Sequence, residues 1–104
     1  MSQHHFPAHS STLGKVAIMV GFDPRFHEHF TRVIVNEEPH RTTDHLTSPE
    51  AVQADLRAIG VDVPATVLDG IRKDEADFLQ GARNVGRRIF EYTTMGRLVQ
   101  QGTW

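Results

Sequence analysis

Histidine is the residue type in this sequence with the widest capacity for chemistry. Seven of the 104 residues are histidine, and an imidazole can bind a metal ion or transfer protons near neutral pH. Four of them fall in two polar segments of the chain: His27, His29, His40 and His45. Because neutral imidazoles together with a carboxylate are good ligands for Zn²⁺, one hypothesis is a metal-dependent enzyme that uses these four residues.

The spacing of these histidines argues against a catalytic centre. His27 and His29 would point to opposite faces of a strand, and the chain contains no His-Glu-x-x-His or comparable motif. It also lacks cysteine and any Gly-x-Ser-x-Gly nucleophile motif. The acidic cluster at residues 74–77 is typical of the solvated face of a helix. We therefore expect no catalytic residues, no cofactor and a protein that is not an enzyme.

Arginine and aromatic residues near the C-terminal end offer a second kind of chemistry. Arg83, Arg87 and Arg88 precede Phe90 and Tyr92, and such a cationic and aromatic surface can stack the bases of RNA or single-stranded DNA. Strand alternation places the two aromatics on one face and Arg87 on the other, which is also typical of core aromatics with arginines at a strand end. Nucleic-acid binding through Arg83, Arg87, Arg88 and Tyr92 is therefore an alternative hypothesis. The net charge of −2 provides no long-range attraction to phosphate.

The elements that position these residues begin after a polar N-terminal segment. Residues 1–14 mix His, Ser, Pro and Gly without strand or helix periodicity, which predicts a disordered tail. Lys15 to Phe22 and Phe30 to Val35 are short runs rich in β-branched residues, and they predict an antiparallel hairpin. Residues 36–47 are polar and lack a period, so we expect an exposed loop there.

Two helices are predicted in the middle of the chain. Ser48 and Pro49 have the residue types of an N-cap and of a first helical position. Gly60 supplies a left-handed stop for this helix. A second helix is expected from Pro64 to Gly81, so the two form a helical hairpin.

The last part of the chain predicts one or two further strands. Residues 87–94 are rich in β-branched and aromatic types, and residues 97–99 can form a short fourth strand. The order β-β-α-α-β(-β) predicts an α+β fold, with a small antiparallel sheet of three or four strands and the helical hairpin on one face. Residues 15–104 are expected to form a single domain.

Composition limits the class of protein further. Apolar residues make up 38% and charged residues 23% of the chain, which is sufficient for one modest core. The absence of cysteine suits the cytoplasm. No stretch approaches the roughly 18 apolar residues of a spanning helix, and residues 1–13 lack a signal-peptide pattern. We expect a cytoplasmic protein that does not enter a membrane.

Two segments carry a resemblance to other proteins. Residues 20–24 read Val-Gly-Phe-Asp-Pro, are followed by Phe30 and Val33, and precede the segment LRAIGVDVP at 56–64. This pattern resembles a loose group of short bacterial proteins in which a strand ends in V-G-aromatic-D near a proline. The resemblance covers residues 16–80. That group has no known function, so the resemblance implies a bacterial origin and no catalytic role.

Protein binding is the function that we expect from the sequence. A sheet with helices on one face leaves its other face and its edges free for a partner, which can be a second copy of the chain. Phe26 lies between polar neighbours in an exposed loop and offers an aromatic anchor. We expect the partner to contact Phe26, Arg25, Arg88 and Tyr92. The predicted function is that of a small non-enzymatic accessory protein that binds another protein, including itself as a homodimer.

Overall fold

The computed structural model describes all residues from 1 to 104 and contains six strands and two helices. The strands are β1 Gln3–Ser10, β2 Gly14–Asp23, β3 Glu28–Val35, β4 Glu38–Leu46, β5 Arg88–Tyr92 and β6 Leu98–Thr103. The helices are α1 Pro49–Arg57 and α2 Ala65–Leu79, and a 3₁₀ turn covers Val85–Arg87.

All six strands belong to one mixed sheet in the order β4-β3-β2-β1-β5-β6. Strands β1 to β4 are antiparallel to their neighbours, β5 is parallel to β1, and β6 is antiparallel to β5. A parallel pair requires a long crossover, and the segment with both helices supplies it. The α+β class agrees with the prediction. The expected antiparallel sheet of three or four strands is wrong, because the sheet has six strands and one parallel pair.

The additional strands come from two segments for which no regular structure was expected. Residues 3–10, predicted as part of a disordered tail, form β1 in the interior of the sheet. Two of its buried side chains, His4 and Ser10, are polar, so the apolar alternation of a strand is hidden. Residues 38–46, predicted as a loop, form the outer strand β4. Most of its side chains face solvent, which removes the alternation there as well.

Both helices pack on the same face of the sheet, as expected. Val16, Ile18, Val20 and Phe22 alternate along β2 and are buried on this face. The residues that cover the sheet come from α1, α2 and the connection between the helices: Val52, Leu56, Ile59, Val61, Val63, Val67 and Ile71. The predicted cap of α1 is also present, since the Ser48 hydroxyl accepts the N–H of Ala51. Neither helix is long and apolar enough to cross a membrane.

The other face of the sheet carries no helix. Pro7, Ala17 and Ile34 are register partners and form a row across β1, β2 and β3. Phe30 lies on this face but is buried, with the Arg32 guanidinium 4.6 Å from the centre of its ring. The uncovered face is therefore a mixed surface of small apolar and charged side chains rather than an apolar patch.

Candidate functional site

A buried hydrogen-bonded network joins β1, α2 and β5. The Nε2 atom of His4 lies 2.6 Å from Asp74 Oδ2, and its Nδ1 atom lies 2.8 Å from the Tyr92 hydroxyl. Burial, reinforced by the nearby Asp74, raises the pKa of Tyr92 to about 12. The hydroxyl therefore keeps its proton. In the His4 tautomer with its proton on Nε2, the hydroxyl donates to Nδ1 and Nε2–H donates to the Asp74 carboxylate. Phe90 stacks on the His4 ring at 4.5 Å.

Arg88 completes this network. Its Nη1 atom lies 3.0 Å from Asp74 Oδ1 and 2.9 Å from Asp77 Oδ2. Burial acts to lower the pKa of Arg88, but the hydrogen bonds that its guanidinium donates to Asp77 and Asp74 outweigh this effect and raise the pKa. His4 and Asp74 are both buried, so a substrate has no access to them. The network joins the neighbouring strands β1 and β5 to α2. Its buried polar groups are tolerated because they are hydrogen-bonded to one another.

Two residues that were expected to contact a partner or a nucleic acid belong to this network. The Tyr92 hydroxyl bonds His4 on the helix-covered side of the sheet, and the Arg88 guanidinium is held by two carboxylates. Arg83 and Arg87 are exposed. Arg87 lies beside the exposed Trp104, whereas Phe90 and Tyr92, the aromatic residues of the nucleic-acid hypothesis, are half-buried and buried.

The four histidines of the metal hypothesis do not share one site, although His27 and His29 approach the same carboxylate. His27 Nε2 is 2.6 Å from Glu75 Oε2, and His29 Nε2 is 3.5 Å from Glu75 Oε1. His45 pairs with a glutamate of β3, and His40 is exposed elsewhere on β4. No group of three or more His, Asp or Glu side chains is arranged to hold a metal ion.

His29 is buried, and neither of its ring nitrogens has a hydrogen-bond partner. Its ring packs against Phe22 at 5.3 Å, and the contact with Glu75 at 3.5 Å is longer than a normal hydrogen bond. Burial lowers the pKa of His29, although Glu75 opposes this effect. Protonation of this imidazole therefore works against the folded state.

The loop between β2 and β3 exposes Phe26 and Arg25, two of the residues predicted to contact a partner. Phe26 is 60% exposed, and the Arg25 guanidinium lies 5.4 Å from the centre of its ring. The charge of Arg25 is already used in an ion pair with Asp23 at 2.9 Å. The loop therefore offers one exposed aromatic ring and no unpaired charge from Arg25.

The two outer strands of the sheet differ in how their edges are protected. β4 carries Glu38, Pro39, Arg41 and Asp44, and its pairing with β3 contains two irregularities. Charged residues, proline and bulges are the usual means by which an edge strand prevents the addition of another strand. β6 contains no charged residue and no proline, and all six of its residues are exposed. Its pairing with β5 contains one irregularity, between Glu91 and Tyr92. We call β6 the unprotected edge.

The register identifies which backbone groups of the unprotected edge are free. The N–H of Trp104 donates to the Arg87 carbonyl at 3.1 Å, and Thr103 is the register partner of Arg88. Backbone groups of successive residues in an antiparallel pair point in opposite directions. Gln101 and Thr103 therefore direct their N–H and C=O groups away from β5, where the sheet has no further strand.

Exposed apolar side chains concentrate around the same strand. Six large apolar residues are exposed in the whole chain, and four of them belong to the last ten residues: Met95, Leu98, Val99 and Trp104. Apolar side chains clustered at a surface are typical of an interaction site. The sequence pattern predicted residues 97–99 only as a short fourth strand. It did not single out this surface, because the position of a strand at the sheet edge depends on the topology.

Comparison of the chain with family models, with curated proteins and with solved structures found no match. The geometry defines the class as an α+β protein with a six-stranded mixed sheet. The unprotected edge at β6 is its candidate functional site.

Proposed function

We propose that this chain is a small non-enzymatic accessory protein that binds another protein chain by strand addition at β6. The observation that carries the proposal is the contrast between the two outer strands. β4 has charged residues, a proline and two irregularities in its pairing, whereas β6 has no charged residue, no proline and one irregularity, opposite Glu91 and Tyr92. In strand addition, main-chain hydrogen bonds supply affinity and alternate side chains supply specificity. Gln101 and Thr103 offer the backbone groups that such a partner needs.

The distribution of charge favours a protein partner over a nucleic acid. Binding to phosphates depends on Lys and Arg side chains that are free to make contacts. β6 has no basic residue, and the Arg88 guanidinium is already held by Asp74 and Asp77. The exposed Arg83, Arg87 and Arg97 lie outside the strand itself. We also propose that the protein acts in a bacterial cytoplasm. The absence of cysteine is consistent with that reducing compartment.

Site-specific photo-crosslinking tests this proposal. The photoreactive residue p-benzoylphenylalanine is introduced at Gln101 in β6 and, as the matched control, at the exposed Thr42 in β4. After irradiation of intact cells, we expect a cross-linked protein product from position 101 and none from position 42. Val99→Lys places a charge on the unprotected edge and should abolish the product.

Three results would overturn the proposal. These are no protein product from position 101, equal products from positions 101 and 42, and a product that persists unchanged in Val99→Lys. The far-UV circular dichroism of each variant must match that of the unmodified protein, so that loss of the product reports the edge rather than unfolding.

A further inference from the structure

We propose that the uncovered face of the sheet binds a small aromatic carboxylate in a hollow that crosses β1, β2 and β3. The hollow has a volume of about 500 Å³, which is within the range of small-molecule sites. It lies away from the unprotected edge, because β5 separates β1 from β6 in the sheet. The inference is therefore independent of strand addition at β6.

The floor of the hollow is apolar. Pro7, Ala17 and Ile34 line it and lie side by side on neighbouring strands. Pro7 and Ala17 are exposed, and Ile34 is half-buried. The short side chain of Ala17 leaves space between its two larger neighbours. A flat apolar ring placed over this row buries apolar surface on both molecules, which favours binding.

One end of the hollow carries hydrogen-bond donors. His9 and Lys15 are register partners on β1 and β2, two residues along the same face from Pro7 and Ala17. Asn36, which directly follows β3, lines the same end. All three side chains at this end are exposed. An ammonium, an imidazole and an amide all donate hydrogen bonds to a carboxylate.

The charge at this end lacks an opposite charge from the protein itself. No acidic residue lines the hollow, whereas Lys73, the other lysine of the chain, is 3.2 Å from the Asp77 carboxylate. Like charges directly opposite each other on neighbouring strands repel. Lys15 and a protonated His9 form such a pair, so an anion bound between them removes the repulsion.

A second hollow on the molecule shows the contrast. It has a volume of about 300 Å³, lies beside Phe26, and is lined by three carboxylates as well as by cationic side chains. Those carboxylates are Asp23, Glu28 and Asp44. They supply the negative charge that the hollow at Ala17 lacks. Charge therefore favours an anionic ligand at Ala17 and not beside Phe26.

The spacing of the two rows indicates the size of the ligand. Lys15 and Ala17 are successive residues on one face of β2, so their Cα atoms lie about 7 Å apart. Two fused aromatic rings with a carboxylate at one end span this distance. The rings then cover Ala17 while the carboxylate accepts hydrogen bonds from Lys15 and His9.

Nuclear magnetic resonance titration tests the site. The probe is 2-naphthoate, added to the ¹⁵N-labelled full chain. The amide resonances of Lys15, Ala17 and Ile34 should shift with a common dissociation constant of about 1 mM or tighter, as expected for a ligand of this size. The neutral analogue 2-naphthylmethanol should bind at least about fivefold more weakly, because it lacks the charge.

Three variants assign the binding to named side chains. Lys15→Gln should weaken 2-naphthoate binding about threefold or more. Lys73→Gln is the matched control, because it removes the other lysine, which is exposed on α2, and it should leave the affinity unchanged. Ala17→Leu fills the hollow and should abolish binding. Amide spectra of the free variants report whether each is folded.

Four results would overturn the inference. The first is the absence of shifts at a concentration of 2-naphthoate tenfold above the expected dissociation constant, and the second is shifts that lie outside β1, β2 and β3. The third is equal affinity for 2-naphthoate and its neutral analogue. The fourth is unchanged affinity in Lys15→Gln. If Ala17→Leu does not fold, the neutral analogue and Lys15→Gln still decide the outcome.

Discussion

Replacing Gly70 with alanine sets two physical effects against each other. Gly70 lies inside α2, and alanine is favoured over glycine in a helix interior by about 1 kcal/mol. A Cβ atom at this position would lie 2.8 Å from Cε1 of His4 and 2.9 Å from both its Nδ1 atom and the Tyr92 hydroxyl. Both of these side chains are buried and hydrogen-bonded to each other. They cannot move aside without disturbing the network.

The expected magnitude follows from the sum of these effects. Overpacking of a well-packed interior costs about 1–3 kcal/mol, and a displaced Tyr92–His4 hydrogen bond costs about 1 kcal/mol more. After subtraction of the gain in helix propensity, Gly70→Ala should lower the free energy of unfolding by about 1–3 kcal/mol.

Urea denaturation followed by circular dichroism measures this change. Gly102→Ala is the matched control, because its Cβ meets no atom within 4 Å, and it should be neutral or stabilising by up to about 1 kcal/mol. Tyr92→Phe removes one of the clashing atoms. The double variant Gly70→Ala/Tyr92→Phe should therefore lose less stability than the two single variants together, by about 0.5 kcal/mol or more. A Gly70→Ala protein with a higher urea midpoint than wild type and an unchanged m-value would refute the reasoning.

Two other predictions concern buried charges and imidazoles. Asp74→Ala leaves the buried His4 without its carboxylate and Arg88 with Asp77 alone. It should cost about 1–3 kcal/mol in the same urea experiment, whereas Asp69→Ala on the exposed side of α2 should change stability by less than about 0.5 kcal/mol. Burial lowers the pKa of His29 in the folded protein. As the pH falls below about 6.5, the imidazole is therefore protonated first in the unfolded chain, which favours unfolding. The urea midpoint should be lower at pH 5.5 than at pH 7.5. His29→Phe should reduce this decrease, and a midpoint that rises on acidification would contradict the assignment.

The helices and the central hairpin could be predicted because their signals are local. Ser48 and Pro49 mark the start of α1 by residue type alone, and the apolar stripe of each helix has the helical period. The run of alternating β-branched residues in β2 likewise predicts a buried strand. The structure confirms these elements.

The strands β1 and β4 could not be predicted because their signals come from other parts of the chain. His4 is buried because Asp74 and Tyr92 meet it there, and nothing within residues 1–14 indicates these partners. β4 is held by backbone pairing to β3 while its side chains remain in solvent. A polar strand of this kind resembles a loop in any local pattern.

The same reason limited the prediction of the site. Arg88 and Tyr92 have residue types that suit binding, but their roles depend on Asp74 and Asp77 of α2. The unprotected edge depends on the order of strands in the sheet. β6 lies at the edge of the sheet because β5 pairs in parallel with β1. Residue types alone do not indicate this pairing.

The parallel pairing of β1 with β5 also has a consequence for biosynthesis. The side chains of His4 and Tyr92 are in contact but lie 88 residues apart in the chain. β1 is synthesised long before β5. One of its edges therefore has no strand to pair with until β5 has been translated. Closing so long a loop costs entropy before any contact is gained. We expect the pairing of β1 with β5 to be the last and slowest step of folding. Until then, we expect the nascent chain to be most prone to aggregation at the unpaired edge of β1.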